Sequence, residues 1–136
     1  MGHSGTMPPF PDFLDQIGQW FDRAETRAAR EDDALRALLT AVNATKRYLG
    51  SRAQGRPVSS RREARLVELW TEAAVRVRRL DRDLAHRLQL TAEYWAQPAR
   101  WTARDLRTAR IRIEEIAAAA RSLLRRGVHK SLPRRR

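Results

Sequence analysis

Few side chains in this sequence are equipped for reaction chemistry. Histidine occurs only at positions 3, 86 and 129 and cysteine not at all, so acid–base, nucleophilic and metal chemistry can be surveyed residue by residue. Without thiols there are no disulfides, iron–sulfur clusters or zinc knuckles. Asp83 and His86 have the i,i+3 spacing of half a di-iron bundle site, but that site needs a second such pair on a facing helix, and the chain has none. The run from Gly50 to Arg56 copies the glycine spacing of a phosphate loop without its Lys-Ser/Thr ending or a preceding strand. Glu114 and Glu115 are adjacent and diverge on a helix, so they do not form an acid–base pair. The residues assign no catalytic group, no metal and no cofactor, and a non-enzymatic protein is expected.

One pair is left over. Arg79 and His86, separated by six residues, fall on one helical face and resemble the R-x(4–6)-H signature of HEPN-fold ribonucleases, small all-α proteins that build an active site across a dimer. Leu80 follows the arginine where that family usually has a polar residue. The resemblance implies an alternative function, a HEPN-like ribonuclease; taken by itself, His86 reads as a neutral surface histidine.

Anion binding is the chemistry the sequence offers in quantity. There are 28 Lys and Arg residues against 16 Asp and Glu, a formal charge of +12, which points to nucleic acid, an anionic membrane or an acidic protein. Arginine enrichment from genome composition would scatter these residues among compensating acids. Instead, residues 1–45 carry a net −3 and residues 66–120 a net +2. Residues 46–65 hold Lys46, Arg47, Arg52, Arg56, Arg61, Arg62 and Arg65 against the single Glu63, and residues 121–136 hold Arg121, Arg125, Arg126, Lys130, Arg134, Arg135 and Arg136 with no acid at all. Planar guanidinium groups suit phosphate because they donate two hydrogen bonds at once, and Tyr48 beside Arg47 is placed to stack on an unpaired base. In an up-down bundle the two basic segments can share one end. No zinc finger, RNP motif, GXXG loop or helix-turn-helix is present, so backbone recognition with little sequence preference is expected.

These residues must be positioned by helices. Apolar residues recur at the 3.6 period and no strand-like alternation occurs, so the expected fold is all-α: an antiparallel four- to five-helix bundle in a single domain. A flexible arm over 1–11 precedes a bundle over 12–126 and a basic tail over 127–136. The first helix uses Phe13, Leu14, Ile17, Trp20, Phe21 and Ala24, with a break expected near Glu31-Asp32-Asp33. The next buries Leu35, Leu38, Leu39, Val42 and Leu49 and stops at Gly50. Ser60 to Glu63 reads as a capping box opening a third helix, whose stripe runs from Leu66 through Trp70 and Val77 to Leu80. A fourth, starting near Asp81, buries Leu84, Leu88, Thr91 and Trp95 and ends by Pro98. Thr102 and Asp105 cap a fifth that runs unbroken through Leu106, Ile113, Ile116 and Leu123 to Gly127. The tryptophans are read as core or bundle-end packing residues.

Val75, Leu90 and Ile111 lie off these stripes and are expected to be exposed contacts for a larger protein or a second copy. No stretch approaches the ~18 apolar residues of a membrane span, and no secretory signal is recognisable in the first residues. The expectation is a cytoplasmic accessory subunit that binds RNA or DNA backbone, similar in general architecture to small helical subunits of bacterial ribonucleoprotein and defence complexes. The alternative is a protein-binding adaptor or oligomeric scaffold docking on an acidic partner.

Overall fold

The structure is a computed structural model that describes the backbone of residues 9–131 and the side chains of residues 28–126. Five α-helices are present among the described residues: α1 (Pro9–Ala53), α2 (Ser60–Val77), α3 (Arg82–Ala96), α4 (Ala103–Ala109) and α5 (Ile113–Ser131), with a 3-10 turn at Pro98–Arg100. The fold is all-α, as the periodicity implies. The chain divides into two compact units, residues 1–30 and 31–136. Of the first, the structure describes the helical backbone from Pro9 onward; the apolar face read from Phe13 to Ala24, including Trp20, lies outside the described side chains. The second unit is the bundle.

Contacts at both ends of the bundle fix the directions of its helices. Tyr48 of α1 bonds Glu63 of α2 at one end, and Asp33 of α1 lies 3.7 Å from Arg76 of α2 at the other, so α1 and α2 are antiparallel. α3 turns back after Asp81, and its Trp95 returns to Tyr48, with ring centroids 5.6 Å apart. α5 starts beside Lys46 and Leu49 and reaches Asp81 with Arg126, which makes it antiparallel to α3. The segment of α1 from residue 31, together with α2, α3 and α5, thus forms an up-down-up-down bundle. Ala34 and Leu38, Trp70 and Ala73, Leu84 and Leu88, and Ile116 and Ala120 represent each helix in one shared core.

Several local expectations change. No break occurs at Glu31-Asp32-Asp33, because residues 22–33 contain neither Gly nor Pro and Asp33 turns its carboxylate to Arg76 instead of capping a new helix. The same helix runs past Gly50 and ends at Ala53, where Gly55 takes the left-handed conformation (φ +88°). The Gly55 N–H bonds the Arg52 carbonyl and the Arg56 N–H bonds the Ser51 carbonyl, which is a Schellman stop. The cap of α2 is Ser59, one residue earlier than expected: its hydroxyl accepts from the Arg62 N–H, while Glu63 is engaged by Tyr48.

The fourth change splits the fifth expected helix. The capping box of Thr102 and Asp105 is present as expected, but α4 lasts only to Ala109, and Arg110 stands in the left-handed region (φ 57°, ψ 44°). Its carbonyl accepts two bonds from the Arg87 guanidinium, at 3.1 and 2.8 Å. Ile111 follows the turn and is buried, so it is not the exposed partner contact expected of it. The phase shift explains why Ile111 falls off a continuous helical stripe: no continuous helix exists there. α5 then continues through Gly127 to Ser131, so the expected stop at Gly127 is absent.

In α1 the buried face is also rotated from the leucine-weighted stripe. Ala34, Leu38, Ala41, Thr45 and Tyr48 point inward, while Leu39 and Leu49 are each 39% exposed. Small residues at this seam let helices approach closely, and the buried Thr45 hydroxyl accepts the Trp70 indole N–H (2.9 Å) while donating to the Ala41 carbonyl (2.8 Å). Both polar atoms are thereby satisfied.

Candidate nucleic-acid interface

The Schellman stop of α1 and the Ser59 cap of α2 bring the first basic segment to one end of the bundle. Lys46, Arg47, Arg52, Arg56, Arg61, Arg62 and Arg65 are all exposed there. Arg52 donates to the Arg56 carbonyl across the turn, and Arg65 pairs with Glu68 one helical turn on (2.8 Å). Glu63, the only carboxylate between residues 46 and 65, is half-buried and accepts the Tyr48 hydroxyl at 2.6 Å. Glu63 forms no ion pair with these arginines among the described residues.

Tyr48 corrects one expectation. Its ring is 2% exposed, covered by the Arg62 guanidinium 5.0 Å from its centroid and by Trp95, so no base can stack on it. Its hydroxyl also accepts the Ser59 N–H at 3.0 Å. Burial and the Glu63 bond hold its phenol above the ordinary tyrosine range, so it remains a donor at neutral pH. Tyr48 is therefore the knot that ties the α1–α2 turn to α3.

The second basic segment divides. Arg121 and Lys46 line one shallow groove of ≈ 400 Å³ between α1 and α5, which brings one member of each cluster together. Arg125 is exposed. Arg126 lies at the far end, where its guanidinium bonds Asp81 at 3.0 Å. Burial opposes charge on Asp81, but the Leu84 N–H and the Arg126 guanidinium outweigh it and hold the carboxyl below its ordinary range. The side chains of Lys130, Arg134, Arg135 and Arg136 lie outside the described residues. The two clusters accordingly do not merge into one patch among the described side chains.

Two basic surfaces were hidden by the near-neutral average of residues 66–120. The turn from α2 to α3 carries Arg78, Arg79 and Arg82 along a groove of ≈ 960 Å³ that also contains Val75 and His86. A second groove, ≈ 920 Å³, opens between α3, α4 and α5 and is lined by Arg87, Arg100, Arg104 and Arg110 around Trp101. The run Arg78-Arg79-Leu80-Asp81-Arg82 was a readable signal for the first; the second depends on the left-handed turn at Arg110, whose one sequence signal was the off-stripe position of Ile111. Val75 is 65% exposed, as expected, and Leu90 is half-buried in the second groove. His86 and Asp83 are exposed, and no metal-ligand cluster exists among the described residues.

No family model, curated protein or solved structure matches this chain. No helix among the described residues is long and apolar enough to cross a membrane.

Proposed function

We propose that the chain is a non-enzymatic, cytoplasmic accessory subunit that holds RNA or DNA by its sugar–phosphate backbone, with little sequence preference. The supporting observation is the arginine-rich end: residues 46–65 expose seven basic side chains against one carboxylate of their own, Glu63, which accepts the Tyr48 hydroxyl, and of the seven only Arg65 forms an ion pair among the described residues, with Glu68. An end of this kind attracts a polyanion and offers guanidinium forks to its phosphates without a rigid set of base contacts. Lys46 and Arg121 extend the surface along the α1–α5 groove, and Arg125, Lys130 and the terminal arginines add charge along the chain.

The test is binding of mixed-sequence RNA and DNA at about 50 mM salt, compared with an Arg52→Gln/Arg56→Gln/Arg61→Gln variant. These side chains are exposed, so the variant is expected to fold normally and to lose affinity by at least tenfold for every sequence. Absence of wild-type binding contradicts the proposal. Binding to an acidic protein and not to nucleic acid favours the adaptor reading.

A second reading has one observation behind it. Arg79 and His86 line the same groove at the α2–α3 turn, so the two residues of the HEPN-like signature open onto one surface. RNA cleavage that disappears in His86→Ala would favour it; intact RNA after long incubation rejects it.

A further inference from the structure

We infer that the groove between α3, α4 and α5 receives an unpaired base, stacked on Trp101, with its flanking phosphates on Arg100 and Arg104. The inference deepens the backbone-binding proposal, rests on it, and narrows the ligand to single-stranded nucleic acid.

Three observations lead there. The first is aromatic exposure: Trp70 and Trp95 are sealed in the core at 0% and 7% exposure, whereas Trp101 is half-buried and lines an open groove of ≈ 920 Å³. That is the size range of small-ligand sites. Trp101 is held edge-to-face by Tyr94 at 6.0 Å, so it is a supported platform.

The second is charge. Arg87, Arg100, Arg104, Arg110 and Arg126 line the groove against three carboxylates. Two of these are already engaged: Asp81 accepts from Arg126 and the Leu84 N–H, and Asp105 accepts the Thr102 N–H in its capping box. Asp83 is the third. Burial and the neighbouring Arg110 both press against the charge of Arg87, an environment that an incoming phosphate would relieve.

The third is continuity. Tyr48, Trp95, Tyr94 and Trp101 form an unbroken chain of edge-to-face contacts, at 5.6, 4.9 and 6.0 Å between successive centroids, that starts under Arg62. These contacts place Trp101 at the same end of the bundle as Tyr48 and the arginine-rich turn. Stacking on an aromatic face accepts any base, which agrees with recognition that ignores sequence.

The experiment compares a homopyrimidine oligonucleotide with an abasic strand of the same length and charge. Wild-type protein is expected to bind the base-bearing strand roughly tenfold more tightly, the scale of one base–aromatic stack. Trp101→Leu is expected to erase that difference while still binding the abasic strand, and Trp101→Phe to keep most of it. As a check that needs no variant, a 4-thiouridine strand is expected to photo-crosslink to the peptide containing Trp101. An undiminished difference in Trp101→Leu, or crosslinks confined to other peptides, overturns the inference and leaves the backbone proposal standing. Wild-type binding to neither strand overturns both.

Discussion

Arg110 holds a left-handed backbone that costs a residue with a Cβ about 1 kcal/mol relative to glycine. Arg87 offsets part of this by donating two bonds to the Arg110 carbonyl. The two residues therefore make opposite predictions in thermal unfolding. Arg110→Gly relieves the backbone without touching the carbonyl and is expected to raise Tm by a few degrees; Arg87→Met removes both donors and is expected to lower stability by about 1 kcal/mol. A fall in Tm for Arg110→Gly would show that the turn is held by the side chain. Asp81 contributes to the pH dependence of stability. Its folded pKa lies below the unfolded value, so its contribution is full above about pH 4 and disappears as pH falls through the folded pKa. Asp81→Asn is expected to be less stable than wild type at pH 7, with the gap closing toward pH 2 in denaturant titrations.

Helix ends are where the elements of this bundle are decided. Ser59 bonds the Arg62 N–H, whereas Ser60 has no capping role, so Ser59→Ala is expected to cost about 1 kcal/mol and Ser60→Ala close to nothing. Urea unfolding of the two variants distinguishes them. These ends also mark how far the fold was legible. The stripe Leu84, Leu88, Thr91 and Trp95 is buried as read, and the Thr102–Asp105 box is where its residue types place it, because both depend on local chemistry. The turn at Arg110 left one sign in the sequence, the phase slip that puts Ile111 off the stripe, but no Gly or Pro marks it, and the guanidinium that bonds the Arg110 carbonyl comes from 23 residues away in sequence. The inward face of α1 was misjudged because Ala and Thr carry little hydrophobic weight yet allow close helix packing. For the site, the exposed arginines from Lys46 to Arg65 were legible, since charge in an acid-poor segment seldom has anywhere to go but the surface. Tyr48 and Trp101 were not: which aromatic is sealed and which stays open depends on tertiary packing.

At the scale of the molecule, the +12 charge resolves into separate surfaces on a bundle whose described ion pairs lie partly within a helix, Arg65 with Glu68 and Arg76 with Glu72, and partly between helices, Arg76 with Asp33 and Arg126 with Asp81. Exposed pairs of this kind contribute little to stability. Removing exposed arginines that form no ion pair among the described residues is thus expected to change binding and not folding, the reverse of what a core residue would do. Wild type and the Arg52→Gln/Arg56→Gln/Arg61→Gln variant should share a Tm within about 2 °C in calorimetry. The most direct test of the central claim is the salt dependence of single-strand binding. Each phosphate neutralised contributes about −0.7 to the slope of log K against log salt. A steep wild-type slope that becomes shallower by about 2 in the triple variant is the predicted result. A wild-type slope near zero, or an unchanged slope in the variant, would contradict a phosphate-binding role for the arginine-rich end.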